Sequence, residues 1–422
     1  MRGAVAIPAD KSVSHRSVLL GGIAEGTTEV EGFLESEDCL ATLNAMRHMG
    51  VVLERPAPGR VVIDGAGLHG LKAPTAVLDM GNAGTAMRLS MGLLAGQRFD
   101  STLTGDASLS RRPMERAATP LRLMGAGIDT TNGRPPVRIR GGAALAGIDY
   151  DLTVPSAQVK SAMLIAGLYA EGKTQVRERA VTRDHTERML RAFGVEVRSD
   201  RGVVAIEGGQ RLRGTRIRVP GDISSAAFFI VAATLAAEGA FLIQDVGVNP
   251  TRTGILDILT LMGADIRRIN ERRFGDEPVA DLEVRARPLT GIEVPRELVP
   301  LAIDEFPVLF VAAAAASGTT LVTGAEELRV KESDRIAVMA TGLHALGIDA
   351  EPRPDGLRIV GGRLGGGTVD SHGDHRIAMA FAIAALKAHE PIEIRDVANV
   401  ATSFPGFPAL ARRAGLAIEE IR

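Results

Sequence analysis

The sequence predicts an α/β protein of two domains, each built from three copies of one β-α-β-α-β-β unit. A segment of the pattern L-x-x-(M/F/L)-G-x-x-(I/V), or a close variant, recurs six times, at spacings of 68 to 84 residues. Repetition at such a period is typical of one supersecondary unit used many times. Each copy is predicted to be an amphipathic helix that ends at a glycine, followed by a strand with alternating apolar positions. The glycines are Gly50, Gly125, Gly194, Gly263, Gly347 and Gly415.

A second recurring feature marks the other end of each unit, where a short polar segment follows an apolar strand and precedes an Ala-rich helix. The segments begin at Ile7, Met80, Val154, Val219, Ile303 and Ser371. Small polar residues at such positions are natural helix N-caps. Each unit is therefore predicted to open with a strand and a capped helix, and the fifth copy places Asp304 at the end of its first strand.

The composition argues against several classes of protein. A formal net charge of −2 argues against nucleic-acid binding, because such proteins carry a strong basic excess. Cys39 is the only cysteine, so the chain has neither an intrachain disulfide nor a Cys-based metal cluster. No charged-then-apolar leader begins the chain, and no apolar run approaches the ~20 residues of a membrane span. We expect a cytoplasmic protein with no nucleic-acid or membrane partner.

The length of 422 residues exceeds one ordinary hydrophobic core, which favours two domains of three units. The crossings between them are expected at two matching strand-to-helix segments, Asp10-Lys11-Ser12 and Gly221-Asp222-Ile223. The predicted domains are then 12–222, and 1–11 together with 223–422. Because neither crossing has a flexible linker, we expect a stiff hinge.

Cations concentrate at the predicted helix N-termini and in two loops. They are Lys11, Arg16, Arg88, Lys160, His375 and Arg376, with further basic residues in 111–116 and 329–335. Helix N-termini add partial positive charge and unsatisfied N–H groups. Each cluster alone is typical of a solvated face, but their coincidence with the repeat favours a small anionic ligand, such as a phosphate ester or carboxylate.

Six runs of residues follow one another along almost the whole chain. They are DKSVSHR at 10–16, GNAGTAMR at 81–88, RPM at 112–114, SAQVKS at 156–161, KESDR at 331–335 and GDHR at 373–376. Together they resemble the 5-enolpyruvylshikimate-3-phosphate synthase family, in the order that the family has them. The resemblance implies a two-domain inverse α/β barrel, the enolpyruvyl transferase fold, with the active site in the cleft between the domains. It also implies that no metal is required, and we expect a monomer without a cofactor.

The activity implied by the resemblance is transfer of the enolpyruvyl group of phosphoenolpyruvate to the 5-hydroxyl of shikimate 3-phosphate. Phosphate is released, and the pathway is aromatic amino-acid synthesis through chorismate. Motif by motif, Lys11 is expected to lie between the two substrates. Shikimate 3-phosphate is expected to contact Ser12, Arg16, Ser156, Ala157, Gln158 and Lys331. Phosphoenolpyruvate is expected to contact Gly84, Arg112, Gln158, Arg335 and Arg376, and Arg183 is a further substrate-binding candidate.

Two carboxylates match the acid and the base of the family. Asp304 matches the base that takes the proton of the attacking hydroxyl, and it also binds shikimate 3-phosphate. Glu332 matches the acid that protonates the methylene carbon. Converging cations favour the ionised form of Asp304. Glu305 is expected to point the other way along the same strand and to serve as an inert control.

Some features of the sequence leave three questions open. Residues 401–405 read ATSFP where the best-known members carry a Lys, so one phosphoenolpyruvate contact is missing or comes from elsewhere. The runs at 183–187 and 249–252 are similar to the second class of the family, often less sensitive to glyphosate, yet Gly84 is retained where some insensitive enzymes have Ala. Sensitivity to glyphosate therefore stays open. Asn82 and Arg88 fit a helix-capping role and a binding role equally well.

Two alternative functions are compatible with parts of the pattern. UDP-N-acetylglucosamine 1-carboxyvinyltransferase shares the fold and the donor, but that family has Lys-Asn where this chain has Lys11-Ser12. It also usually carries a Cys in the loop that corresponds to 106–112, where none occurs here. A non-catalytic repeat scaffold is the other alternative, but it would not need both Asp304 and Glu332 beside a cluster of cations.

Overall fold

The computed structural model describes residues 3–421, which divide into two compact units. The middle unit consists of residues 9–219 and 274–277, and the terminal unit of residues 3–8, 220–273 and 278–421. The chain changes unit after residues 8 and 219, whereas the predicted domains change after 11 and 222. Residues 274–277, at the turn of a hairpin, belong to the middle unit. The sequence does not predict this grouping.

The first three repeats follow the predicted order of elements. The first has β1 Gly3–Ala6, α1 Lys11–Gly22, β2 Glu25–Glu31, α2 Glu37–His48, β3 Val52–Ala57 and β4 Arg60–Ala66. The second has β5 Leu78–Asp79, α3 Gly84–Ala95, β6 Ser101–Thr104, α4 Glu115–Leu123, β7 Gly127–Thr131 and β8 Arg134–Arg140. The third has β9 Asp149–Asp151, α5 Ala157–Gly167, β10 Lys173–Arg177, α6 His185–Ala192, β11 Val197–Asp200 and β12 Val203–Glu207.

The fourth repeat also follows that order, but the fifth and sixth are shorter. The fourth has β13 Arg216–Arg218, α7 Ile223–Leu235, β14 Ala240–Gly247, α8 Gly254–Leu261, β15 Asp265–Phe274 and β16 Glu277–Arg285. The fifth has α9 Phe306–Ala314, β17 Thr319–Val322, α10 Arg335–Ala345, β18 Asp349–Arg353 and β19 Gly356–Val360. The sixth has β20 Gly367–Asp370, α11 His375–Ala384, β21 Ile392–Arg395 and α12 Phe407–Arg413.

The structure departs from the predicted order of six β-α-β-α-β-β units at two places. Before α9, residues 290 and 293 form only isolated bridges within the described chain, and residues 301–305 form a turn. Asp304 lies in that turn and not at a strand end. After α12, no strand forms up to residue 421, the last one described, so the sixth repeat ends without its final strand pair.

The predicted glycines at the helix ends are confirmed. Each lies two residues after the last helical residue, as Gly50 does after α2, with φ between 80° and 103° in all six. Only glycine adopts this left-handed conformation without a steric penalty, and it lets the chain leave a helix sharply. The spacing of these glycines in the sequence therefore marks real helix ends.

The first strand of the first repeat pairs with a strand of the fourth repeat, and the first strand of the fourth repeat pairs with a strand of the first. In the terminal unit β1 pairs in parallel with β14, with Val5 opposite Ile243, in the sheet β1-β14-β16-β15. In the middle unit β13 pairs in parallel with β2, with Ile217 opposite Val30, in the sheet β13-β2-β4-β3. At both places where the chain passes from one unit to the other, a strand therefore lies in one unit and the helix that follows it lies in the other.

Each unit has its own core around helices that are buried on nearly every side. In the middle unit these are α1, α3 and α5, and in the terminal unit α7, α9 and α11. All thirteen residues of α7 and all nine of α9 are buried. A helix that is apolar on all sides belongs in a core. Within 3–421 no helix is long and apolar enough to span a membrane.

Side-chain N-caps begin most of these buried helices, as the polar segments predict. Asp10, Ser156, Asp222 and Asp374 accept hydrogen bonds from backbone N–H groups at the starts of α1, α5, α7 and α11. Within the described residues, α3 and α9 begin without a side-chain cap. Because the helix bodies are apolar, polar chemistry in each unit is concentrated at these N-termini.

Candidate active site

Lys11 is the first residue of α1 in the middle unit. Its ammonium group forms an ion pair with Asp38, whose side chain is 3% exposed, whereas the Lys11 side chain is 20% exposed. Asp10 caps the helix, and its Oδ1 accepts from the Val13 N–H at 2.8 Å. Lys11 is thus a held but accessible cation at a helix N-terminus, a position that favours an anion.

Arg16, one turn further along α1, is buried and fully engaged. Its guanidinium donates to Thr186 Oγ1 at 2.6 Å, to Ser161 Oγ at 3.0 Å and to the Ser12 carbonyl at 3.0 Å. Burial lowers the pKa of Arg16 to about 10, and Glu187 partly opposes that shift. Arg16 therefore joins α1 to α5 and α6 and fixes the Ser12 backbone. Its contact with shikimate 3-phosphate stays a prediction.

The uncapped N-terminus of α3 is bordered by two guanidinium groups. A Cβ atom at Gly84 would lie 3.1 Å from an Arg88 nitrogen and 3.2 Å from an Arg112 nitrogen. Asn82 Oδ1 accepts from Arg112 at 2.5 Å, and the Asn82 amide donates to Asp106 at 2.7 Å. The N–H groups of a helix start and two guanidinium ions form a strong anion site.

Gln158 connects this position to the start of α5. Its Oε1 accepts from Arg88 at 2.5 Å, and its amide nitrogen donates to Thr85 Oγ1 at 2.8 Å. Ser156 caps α5, with its Oγ 3.4 Å from the Val159 nitrogen, and Ala157 is the first helical residue. Arg88 thus belongs to the same cluster as Gly84, which the sequence alone left undecided.

Arg183 is half-buried in the segment that joins β10 to α6. Behind this segment, buried Lys160 lies 2.8 Å from Glu178 and 2.7 Å from Glu187. Burial opposes the charge on Lys160, but the two carboxylates raise its pKa above the ordinary value. Lys160 also lies 3.4 Å from the Thr182 carbonyl, so these charges anchor the segment that presents Arg183.

In the terminal unit, Arg335 is the centre of a cluster of carboxylates, although its side chain is only 1% exposed. Its Nε donates to Asp374 at 2.8 Å, and one terminal nitrogen donates to Glu332 at 2.6 Å. Burial disfavours its charge, but three neighbouring carboxylates raise its pKa above the ordinary value. Arg335 is therefore a fixed cation that positions both proposed catalytic carboxylates, since Asp304 also contacts it.

Asp304 faces two cations from its turn before α9. Its Oδ1 lies 3.4 Å from Lys331 Nζ and 3.4 Å from an Arg335 nitrogen. Two cations at this distance favour the ionised carboxylate, the form that a base needs. Glu332 is 16% exposed and keeps one oxygen on Arg335. The terminal unit thus brings both predicted carboxylates to one cluster of cations.

Arg376 is half-exposed at the start of α11, and its backbone N–H donates to the capping Asp374 at 3.0 Å. Its guanidinium has no hydrogen-bond or ion-pair partner among residues 3–421. This arrangement leaves the guanidinium available to an anionic group. Asp374, which orients Arg335 and caps α11, is not predicted as a site residue, although an Asp just before a helix is a recognisable N-cap signal.

The sequence predicts that Glu305 lies on a strand and points away from Asp304, but Glu305 lies in a turn. It occupies the N-cap position of α9, and its side chain is fully buried. Its Oε1 accepts from Ser224 Oγ and lies 3.6 Å from an Arg252 nitrogen. The prediction is wrong because the segment turns here, which directs Glu305 into the protein interior beside α7.

The predicted site residues therefore form one cluster in each unit. In the middle unit they lie at the starts of α1, α3 and α5, with Arg183 on a neighbouring segment. In the terminal unit they lie around the starts of α9, α10 and α11. Asn82, Arg88, Asp38 and Asp374 join these clusters through contacts with the predicted residues.

Known proteins resemble this chain over nearly its whole length. The family model described as EPSP synthase (3-phosphoshikimate 1-carboxyvinyltransferase) matches residues 1–410. The 3-phosphoshikimate 1-carboxyvinyltransferase of Alkalilimnicola ehrlichii is 64% identical over 420 residues, which are 99% of this chain and 94% of that protein. The protein of the same name from Methylococcus capsulatus is 63% identical over 420 residues, 99% of this chain and 96% of that protein.

A solved structure agrees with these sequences. EPSP synthase from Acinetobacter baumannii has a TM-score of 0.88 and 57% identity to this chain, covering 99% of this chain and 96% of that one. The shared fold is the two-domain enolpyruvyl transferase fold that the motifs predict. Because the family model matches residues 1–410 and these relatives are 64% and 63% identical over 420 residues, the chain belongs to the EPSP synthase (3-phosphoshikimate 1-carboxyvinyltransferase) family.

Proposed function

We propose that this chain transfers the enolpyruvyl group of phosphoenolpyruvate to the 5-hydroxyl of shikimate 3-phosphate, the reaction for which its family is named. The hydroxyl oxygen bonds to C2 of phosphoenolpyruvate while the methylene carbon gains a proton. Phosphate then leaves, and the new methyl group returns a proton, which restores the double bond. The observation that carries the proposal is the uncapped start of α3, where Arg88 and Arg112 flank Gly84.

In the middle unit, we propose that the Lys11 ammonium group neutralises negative charge on both substrates. Its ion pair with Asp38 holds the ammonium group at the start of α1, where a fifth of the side chain stays accessible. The capped start of α5 is suited to the phosphate of shikimate 3-phosphate, since its N–H groups point out of the helix. The residues assigned to this substrate are Ser12, Arg16, Ser156, Ala157, Gln158, Arg183 and Lys331.

For phosphoenolpyruvate, we assign guanidinium groups, because their paired donors match both a carboxylate and a phosphate. Arg112 is oriented by Asn82, and Arg376 has its guanidinium available within the described residues. Arg335 is held by Asp374 and can contribute only a donor that its carboxylates leave accessible. Gly84 lets the ligand approach the helix backbone, and Gln158 reaches both substrates.

Asp304 and Glu332 are proposed as base and acid. Lys331 and Arg335 favour the ionised form of Asp304, which can accept the hydroxyl proton. Glu332 is partly exposed and hydrogen-bonded to Arg335 through one oxygen, so its carboxyl group is held for proton transfer to carbon. Such positioned groups typically contribute about 100-fold to 10,000-fold in rate.

The test of the proposed function is release of inorganic phosphate from phosphoenolpyruvate in the presence of shikimate 3-phosphate. Reactions without an acceptor, and with UDP-N-acetylglucosamine as acceptor, are run in parallel. We expect phosphate release only with shikimate 3-phosphate. Release with UDP-N-acetylglucosamine would favour the other enolpyruvyl transferase, and no release with either acceptor would favour a non-catalytic scaffold. The monomeric state and the cytoplasmic location stay predictions.

Gly84→Ala is expected to weaken phosphoenolpyruvate binding without unfolding the protein. The new Cβ is tight only against the flexible ends of Arg88 and Arg112 and makes an ordinary 3.6 Å contact with Leu109, and Ala favours helix more than Gly does. Displacing two guanidinium groups is expected to raise KM for phosphoenolpyruvate about tenfold, or about 1.4 kcal/mol. The control is Gly362→Ala, whose Cβ would make an ordinary 3.4 Å contact with Ile348. Equal KM values for both variants would contradict the assignment.

A further inference from the structure

We propose that the buried carboxylate of Glu305 is a positioning residue for Asp304, the proposed base. It acts through contacts with Ser224 and Arg252, which hold the turn that carries Asp304. The inference rests on the proposed function, since it concerns the efficiency of that reaction. Nothing in the family motifs used above assigns a role to Glu305.

The three side chains form a buried set in the terminal unit, in which an Arg252 nitrogen also lies 3.5 Å from Asp222 Oδ1. Ser224 Oγ donates to Glu305 Oε1 and accepts from an Arg252 nitrogen at 2.6 Å. The same nitrogen lies 3.6 Å from Glu305 Oε1. The Arg252 side chain is 3% exposed, and the Ser224 residue is also buried. The set links the start of α9 to the start of α7 and to the segment before α8.

A charge at this position is costly, which indicates a specific use. Burying an ionised carboxylate is unfavourable unless partners compensate it, and apolar groups of the same volume often stabilise a core as well or better. The helix that follows, Phe306–Ala314, is entirely apolar and buried. An apolar side chain at 305 would therefore suit the core. The structure instead places a carboxylate there, directly after the proposed base.

The turn gives the reason for this carboxylate. Within residues 301–305, the N–H groups of Leu301, Ala302 and Glu305 donate backbone hydrogen bonds, the last to the Ala302 carbonyl at 2.9 Å. The Asp304 carboxylate lies 3.4 Å from Lys331 Nζ and 3.4 Å from an Arg335 nitrogen. Anchoring the next residue to Ser224 and Arg252 limits the directions that the Asp304 side chain can take. A misplacement of about 1 Å can lower a rate about 100-fold.

Glu305 is a positioning residue and not a second base. Its side chain is fully buried, and Oε1 accepts a hydrogen bond from Ser224. Its Oε2 is buried without a hydrogen-bond partner in the described chain, so a substrate hydroxyl has no direct access to it. Any effect of Glu305 on turnover must therefore pass through the groups around it, of which Asp304 is its neighbour in sequence.

The test is a double-mutant cycle with Glu305→Gln and Asp304→Ala. Gln keeps the shape and can accept from Ser224, but it loses the charge that faces Arg252. We expect Glu305→Gln alone to lower kcat about tenfold and to leave both KM values within about twofold. In the Asp304→Ala background the same change is expected to lower kcat less than about twofold, because the group that it positions is gone.

A matched control separates positioning from general destabilisation. Asp281→Asn also neutralises a buried carboxylate of the terminal unit that pairs with an arginine, Arg272 at 2.8 Å. It is expected to lower Tm and to leave kcat unchanged. If Glu305→Gln does not fold at the assay temperature, Ser224→Ala replaces it, because that variant removes only the bridging hydroxyl. Its kcat is expected to change as described for Glu305→Gln, both in the unmodified chain and in the Asp304→Ala background.

Three outcomes would overturn the inference. One is an equal tenfold loss from Glu305→Gln with and without Asp304, because the effect would then not pass through the base. Another is a loss of kcat in Asp281→Asn as large as that in Glu305→Gln. The third is wild-type kcat in Glu305→Gln while the unmodified chain turns over both substrates. An unmodified chain that releases no phosphate would overturn the proposed function and this inference with it.

Discussion

Lys11→Met is expected to lower kcat/KM more than about 100-fold, because it removes the cation that we propose stabilises charge on both substrates during the reaction. Removing one such group typically costs about 3 kcal/mol in transition-state stabilisation. The chain offers few substitutes at this position, since Arg16 on the same helix is buried and engaged with Ser161 and Thr186. Steady-state kinetics with both substrates measure the effect.

The same substitution also affects stability, which requires a second variant. Met at position 11 leaves Asp38, 3% exposed, without its ion-pair partner. An uncompensated buried charge destabilises a protein, so Tm is expected to fall. Lys11→Met with Asp38→Asn removes both charges and is expected to recover Tm while turnover stays lost. Recovery of turnover in the double variant would show that Lys11 acts only by holding Asp38.

Lys173→Met, which changes an exposed lysine of β10, is the matched control and is expected to be active. Retention of more than about a tenth of the wild-type kcat/KM by Lys11→Met corresponds to less than ~1.4 kcal/mol of transition-state stabilisation. Such a small loss would contradict the assignment of Lys11 to both substrates.

Asp304→Ala and Glu332→Gln are expected to lower kcat by about 100-fold or more and to separate the two proton transfers. Asp304→Ala removes the acceptor of the hydroxyl proton and one hydrogen bond to shikimate 3-phosphate, so binding of that substrate weakens modestly. Glu332→Gln keeps the shape and is expected to bind both substrates. It is also expected to slow exchange of solvent deuterium into the methylene group of phosphoenolpyruvate, followed by NMR.

Both variants are expected to fold, because Arg335 keeps its contact with Asp374 at 2.8 Å in each. Glu305 cannot serve as the inert control, because it is buried against Ser224 and Arg252. The better control is Glu326→Gln, an exposed carboxylate at the start of the 3-10 helix Glu326–Val330. Wild-type deuterium exchange in Glu332→Gln, or a loss in Glu326→Gln equal to that in Asp304→Ala, would refute the assigned roles.

Several features of the fold and site were predictable because their causes lie in adjacent residues. The glycines such as Gly50 mark helix ends, since a left-handed backbone after a helix requires little more than glycine at that position. Asp10 and Ser156 were recognisable as caps, because a cap bonds to N–H groups two or three residues later. The six motifs placed most of the residues predicted to bind the substrates at or near these same helix starts.

Other features were decided only by the tertiary structure. The exchange of β1 and β13 between sheets depends on pairing with strands more than 180 residues away, and the local pattern is the same for either partner. Arg88 donates a hydrogen bond to Gln158, which is 70 residues later in the chain, and Glu305 accepts one from Ser224, which is 81 residues earlier.

Neighbouring residues specify where the helices begin and end and which side chains can bind anions, so these features are readable from the chain. The sequence could not determine that Asp304 lies in a turn or that Glu305 is buried, because a single change of backbone direction reverses which side chain faces the core. Local conformation follows from neighbouring residues, whereas the partner of a buried charge follows from the packing of distant elements.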